Sequence, residues 1–262
     1  MARGVWTELV RSWKVTDRPG SFLRCAIDAF LYRLLRIAPI GEGRLRTIRF
    51  RDGGSITYRL NRGDIRAVSE TWMNRDYELP FSPEAPRLLV DLGANIGATG
   101  CWLARRYGCE RVIAVEPDPG NAALARRNFA ANGIPAEVHD AAVGPASGTA
   151  FFAEARESTL GRLAESGRQI RVLDLPGLIG SDRVDLMKVD SEGAEGELFG
   201  TSAAWLAQVR GIIAELHPDY CDSSGVVSVL TEAGFEYRRL ASNHPGPKGT
   251  EFMAAFWRAD AT

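Results

Sequence analysis

The stretch Leu88-Leu89-Val90-Asp91-Leu92-Gly93-Ala94-Asn95-Ile96-Gly97, residues 88–97, decides the architecture. An apolar strand runs into a turn of small residues, and the turn opens a helix over 98–106. Gly93 lets the backbone bend sharply after the strand, and Gly97 lets the helix approach a ligand with no Cβ in between. A helix N-terminus presents N–H groups and a favourable field to a carboxylate or phosphate. Asp91, at the strand end, is placed to hold an ammonium, directly or through water.

The next apolar run, 112–115, ends in Glu116-Pro117-Asp118. A carboxylate about twenty residues beyond such a loop can accept hydrogen bonds from ribose hydroxyls, which makes Glu116 a candidate. Either acid could instead cap the helix starting near Pro119, and if Asp118 does so, Glu116 is left for a ligand. A third strand is expected to end at Val138-His139-Asp140, where Asp140 either accepts from an adenine amino group or sits solvated in a turn. A dinucleotide loop would read Gly-x-Gly-x-x-Gly, but Asn95 stands where its middle glycine would be. An acid followed by the turn Gly93-Ala94-Asn95 better suits a ligand with carboxylate and ammonium on one carbon, as in S-adenosylmethionine.

Further along, Val184-Asp185-Leu186-Met187-Lys188-Val189-Asp190-Ser191-Glu192 is an apolar strand ending in charge. Alternation puts Lys188, Asp190 and Glu192 on one face. Isolated buried charges cost several kcal/mol, so either Lys188 pairs with a carboxylate or the face serves a ligand. The run 211–218 ends with Glu215 and His217, again on one face. Short apolar strands at 88–92, 112–115, 186–189 and 212–216, separated by helix-compatible stretches, predict a parallel sheet with helices on both faces. In such a sheet ligands bind beyond the carboxyl ends of the strands, where all these residues converge. Two last β-rich runs, 235–240 and 252–257, predict an antiparallel hairpin at the sheet edge.

The 262 residues, 45% hydrophobic and 25% charged, suit a globular chain and exclude disorder, coiled coil or collagen. A formal net charge of -1 argues against a nucleic-acid binder. Four cysteines without Cys-x-x-Cys spacing indicate neither a zinc site nor a disulfide frame, and suit a reducing, cytoplasmic setting. The segment 21–40 is apolar but interrupted by Arg24, Asp28, Arg33 and Arg36, too many charges for a bilayer crossing. It reads as an amphipathic helix packed on the main domain or on a second subunit as a homodimer, with an interfacial membrane anchor as the alternative. A hairpin around Asp52-Gly53-Gly54 and a short polar helix from Asp64 to about Trp72 follow. Pro80, Pro83 and Pro86 place a boundary between an N-terminal appendage, 1–84, and a catalytic core, 85–262.

The strings Val-Asp-Leu-Gly-Ala-Asn-Ile-Gly at 90–97, Val-Glu-Pro at 115–117 and Lys-Val-Asp-Ser-Glu-Gly-Ala-Glu at 188–195 resemble FkbM-type S-adenosylmethionine-dependent methyltransferases. Ser191 departs from the pattern, which more often has an aliphatic residue there. The resemblance implies a class I, Rossmann-like fold with a doubly wound, mostly parallel seven-stranded sheet. It also implies O-methylation of a hydroxyl on a small molecule of natural-product or saccharide type. The expected cofactor set is Asp91, Gly93, Ala94, Asn95, Gly97, Glu116, Pro117, Asp140 and, from the appendage, Tyr77. Trp72, Tyr77 and Phe81 are candidates to cover the cofactor, or equally to form ordinary core.

For the chemistry, His217 is the first candidate base and Asp190 the second, with Glu192 and Glu215 orienting a hydroxyl or His217. Asp190, Glu215 and His217 could ligate a hard cation, but nothing in their spacing requires it, so no obligatory metal is expected. Alternatives are N- or C-methylation in the same pocket, a nicotinamide-dependent oxidoreductase, and a nucleoside-binding protein without turnover.

Overall fold

The computed structural model describes residues 10–34, 41–153, 162–164, 166–191, 194–200, 204–240 and 250–259, with backbone only at 31–34 and 162–164. Glu192, the loop at 241–249 and the end of the 21–40 segment lie outside the described residues.

The N-terminal part comprises α1 (Pro19–Leu34), an antiparallel hairpin of β1 (Leu45–Arg49) and β2 (Ser55–Arg59), and α2 (Asp64–Val68). After α2 the chain makes a wide π-type turn over Ser69–Met73. The core then alternates β3 (Leu88–Leu92), α3 (Ala98–Tyr107), β4 (Arg111–Glu116), α4 (Pro119–Ala131) and β5 (Ala136–Asp140). Four further strands follow: β6 (Ala142–Gly144), β7 (Gly148–Ala153), β8 (Arg162–Ala164) and β9 (Arg168–Asp174). The remaining elements are α5 (Leu175–Ile179), β10 (Leu186–Val189), α6 (Glu195–Gly200), β11 (Gly211–Leu216), α7 (Ser223–Glu232), β12 (Glu236–Arg239) and β13 (Phe252–Trp257).

The main sheet has seven strands in the order β12-β13-β11-β10-β3-β4-β5. β11, β10, β3, β4 and β5 run parallel, and β13 with β12 form the antiparallel edge. This is the class I methyltransferase arrangement, Rossmann-like with a reversed final strand. Strand order reverses between β3 and β10, so the crevice for a ligand opens where these two strands end. There Asp91 lies opposite Lys188 and Leu92 opposite Val189.

Every residue of β3 is buried because both faces of the sheet are covered. Leu88, Val90 and Leu92 join one hydrophobic cluster with Phe199, Trp205 and Phe256. Leu89 joins the other, which reaches from Trp102 and Phe129 to Ile48, Phe50 and Trp72 of the N-terminal part. The hairpin is fastened by α4: Asn128 accepts from Thr57 N (2.8 Å) and donates to Thr57 O (2.9 Å) and Ile96 O (2.8 Å). One amide side chain thus joins hairpin, helix and glycine turn.

One expectation changes, one pair of alternatives is settled and one sheet is new. The segment from Asp64 is helical as expected, but it is not a polar surface helix: Asp64, Ile65, Val68, Thr71, Trp72 and Met73 are all buried beneath the hairpin and α3. Trp72 and Phe81 are core. Trp72 stacks on Phe50 (3.9 Å between centroids) and Phe81 stacks on Trp257 (5.3 Å). The second sheet, β6-β9-β7-β8, has no counterpart in the sequence reading, because β6 and β8 have only three residues each and β7 and β9 are mostly exposed or half-buried, with no clean alternation.

Candidate active site

Gly93 sits at φ 73°, and a Cβ there would meet Asp190 O at 1.8 Å, so the turn after β3 accepts only glycine. Gly97, at φ 75°, has a different role from the one expected. Its missing Cβ faces Ala125 Cα (3.0 Å) and Phe129, so it lets α3 pack on α4 rather than approach a ligand. The turn amides are also not free. Gly93 N and Ala94 N both donate to Val115 O (3.0 Å each), and Asn95 N donates to Glu116 Oε2 (2.7 Å).

Glu116 is buried at the tip of β4, where Oε1 accepts from Asp118 N (2.9 Å) and Asn121 Nδ2 (3.2 Å). Burial pushes its carboxyl up to about 7, although these hydrogen bonds pull it back. Asp118 caps α4, accepting from Asn121 N (2.7 Å), as the sequence allowed, and Glu116 is free of the capping role. It ties the glycine turn to the β4–α4 turn. Pro117 is half-buried between these acids, and its carbonyl accepts from Arg168 (2.8 Å). Asp140 ends β5 opposite Glu116 in register, exposed and ion-paired with Arg126.

Lys188 is 2% exposed and makes the ion pair that the charge pattern offered as one alternative. Its Nζ lies 3.4 Å from Asp91 Oδ1 and 3.6 Å from Asp190 Oδ2. It also donates to Gly93 O (2.5 Å) and Leu92 O (3.3 Å). Burial works against its charge, but Asp91 and Asp190 outweigh it and hold the ammonium above its ordinary range. The ammonium facing Asp91 in this structure is therefore that of Lys188. Tyr77, whose phenol is pushed well up by burial and by Asp190, stays neutral and donates to Asp190 Oδ2 (3.3 Å).

Asp190, Glu215 and His217 come together with one ligating atom of each within 4.8 Å of the others, the arrangement a metal could use. His217 is 3% exposed and held from behind by a residue outside the expected site, Glu195. Glu195, fully buried at the start of α6, brings Oε1 to 3.3 Å from His217 Nδ1. The same oxygen accepts from Ser191 N (2.9 Å) and Ser191 Oγ (3.0 Å). A carboxylate that accepts from Ser191 accepts from Nδ1 as well, so Nδ1 is the donor in this contact. Ser191, the departure from the family pattern, thereby supplies a hydroxyl to the same carboxylate. The one sequence signal for Glu195 is its place in the charged string 188–195.

A family profile for the methyltransferase FkbM domain matches residues 91–237, more than half of the chain. The chain belongs to this family. The matched FkbM region contains the glycine turn, Glu116, Lys188, Glu195 and His217. Among solved structures, the methyltransferase FkbM from Methylobacillus flagellatus KT is similar, with 15% identity and a TM-score of 0.49 over 97% of this chain and 59% of that one. An O-methyltransferase family protein from Burkholderia thailandensis shares 12% identity, with a TM-score of 0.45 over 75% of this chain and 58% of that one. Precorrin-6y C5,15-methyltransferase from Geobacter metallireducens GS-15 shares 14% identity, with a TM-score of 0.43 over 75% of this chain and 88% of that one. The chain thus spans under two thirds of the length of the first of these. The search of curated proteins finds no match.

Proposed function

We propose that this FkbM-family protein transfers a methyl group from S-adenosylmethionine to a hydroxyl oxygen of a small molecule of natural-product or saccharide type. The observation that carries this reading is the Glu195–His217 pair beside Asp190 and Glu215 at the end of β11. The cofactor fits the crevice: Asn95 Oδ1 and Asp190 Oδ1 are buried there without a hydrogen-bond partner among the described residues, ready for donors such as an ammonium or a hydroxyl. In this reading Gly93, Ala94, Asn95 and Gly97 shape the turn, Asp91 acts through Lys188, and Tyr77 orients Asp190. Glu116, with Pro117 beside it, takes the ribose side, and Asp140 the adenine side. The appendage, 1–84, brings Tyr77 to the core, 85–262.

When bound, the cofactor supplies an electrophilic methyl group on a sulfonium. His217 Nε2 takes the acceptor's hydroxyl proton as oxygen attacks, and Glu195 stabilises the imidazolium that forms, which lends about 10²- to 10⁴-fold. Glu215 orients the acceptor hydroxyl, with Glu192 the further candidate, and the buried walls exclude water.

The test is calorimetry with S-adenosylhomocysteine, then an acceptor screen with labelled methyl donor on wild type and His217→Asn. Cofactor binding with turnover lost in the variant is expected; no binding, or unchanged turnover, refutes the reading. The Asp190–Glu215–His217 arrangement favours a second reading, in which a divalent cation activates the hydroxyl. Against it, Lys188 already balances Asp190 at 3.6 Å, so turnover is expected to survive chelation. Loss of turnover with chelator, restored by Mg²⁺, selects the cation.

A further inference from the structure

α1 buries only one side. Cys25 and Asp28 face the fold at 1% and 0% exposure, Asp28 accepting from Tyr58 and facing Arg46 at 3.3 Å. On the opposite side Leu23, Ile27 and Phe30, spaced i, i+4, i+7, are 57%, 43% and 56% exposed. Trp13, 49% exposed, extends this apolar stripe by packing edge-on against Phe22 at 5.2 Å. Among the described residues nothing covers the exposed part of these side chains.

The charge around the stripe is one-sided. Residues 1–51 contain eleven Lys and Arg against four Asp and Glu, a formal +7, while the rest of the chain carries −8. Lys14, Arg18 and Arg24 are exposed beside the stripe. The described acids of the segment are turned inward or engaged: Asp28 as above, Asp17 with Ser21 Oγ (2.6 Å) and with the neighbouring Arg18 (3.4 Å), and Glu42 with Arg62 (3.4 Å). An apolar ridge in a cationic field, with local carboxylates withdrawn, matches a surface that is apolar beneath and anionic above. A second copy of this chain fits badly, because it would bring two such cationic fields face to face.

We propose that the outer face of α1 docks this protein on anionic phospholipid membranes. Leu23, Ile27, Phe30 and Trp13 enter the boundary between headgroups and acyl chains, and Lys14 and Arg18 lie among the phosphates. The inference rests on α1 and on Trp13, Lys14 and Arg18 just before it, and is independent of the methyl-transfer reading.

The test is co-sedimentation of the full chain with phosphatidylcholine vesicles, with and without phosphatidylglycerol. Binding is expected only to the anionic vesicles and falls as salt is raised. The Leu23→Glu/Phe30→Glu variant, both changes being on exposed positions, is expected to keep the wild-type melting temperature and lose binding by about tenfold or more. Lys14→Glu/Arg18→Glu is expected to abolish the preference for phosphatidylglycerol. Three outcomes overturn the proposal: no binding to either vesicle, undiminished binding by Leu23→Glu/Phe30→Glu, or a dimer by light scattering that this variant dissociates. Binding to single-stranded RNA without binding to vesicles overturns it as well.

Discussion

Glu195 Oε1 lies 3.3 Å from His217 Nδ1, although the two residues are 22 positions apart and rise from the start of α6 and the end of β11. The carboxylate is fully buried and braced by Ser191, so its position against the ring does not depend on solvent.

Replacing Glu195 by Gln keeps its size but removes the charge opposite the imidazolium. Turnover is expected to fall on the order of 10²-fold, with S-adenosylhomocysteine affinity held within a few-fold. Steady-state kinetics and calorimetry on the same preparation check this. Equal losses in affinity and turnover would instead mark Glu195 as a scaffold residue.

Lys188 compensates two carboxylates in a closed site. Its replacement by Met leaves Asp91 buried without its ion-pair partner, which is expected to cost about 3–5 kcal/mol. Thermal unfolding should fall on the order of 10 °C. Lys188→Met/Asp91→Leu should recover much of that loss, because no unpaired charge then remains at Asp91.

Gly93→Ala places a methyl group 1.8 Å from Asp190 O and demands φ 73° of an L side chain. The turn must shift, and β3 with it. Cofactor affinity is expected to fall by at least about tenfold, with a loss of stability of at least about 1 kcal/mol. Calorimetry and melting curves measure both, and an unperturbed variant would contradict the turn geometry.

Glu116 titrates near 7 rather than at its ordinary 4.5, with burial the main cause. A raised value stabilises the fold below the ordinary carboxylate range, and that contribution is lost as pH rises through about 7. Glu70 shifts the same way, again through burial, so the stability change over this window reflects both groups. In the proposed site the ribose hydroxyls donate to the ionised form of Glu116. S-adenosylhomocysteine affinity is therefore expected to level off above about 7 and to fall by up to about tenfold per pH unit below it. Glu116→Gln should bind weakly with no such pH dependence, which calorimetry across pH 5.5 to about 8.5 would show.

Much of the frame was legible in the chain. The buried strand 88–92, the acid-tipped strands at Glu116 and Asp140, and the charged ends at Lys188–Asp190 and Glu215–His217 appear where residue pattern places them. The terminal hairpin also pairs as its β-rich runs suggest. The second sheet was not legible, because β7 and β9 are mostly exposed or half-buried and lack a clean alternation.

Sequence alone determined the alternating parallel sheet and which chemical groups end at its crevice, because strand periodicity and glycine turns are local properties. Only the tertiary structure decided what those groups do. Whether Gly97 serves a ligand or α4, whether Lys188 or a ligand meets Asp91, and that Glu195 rather than a nearer residue holds His217 all depend on contacts between segments distant along the chain. Such contacts follow from how the helices pack against the sheet, which no single stretch of residues encodes.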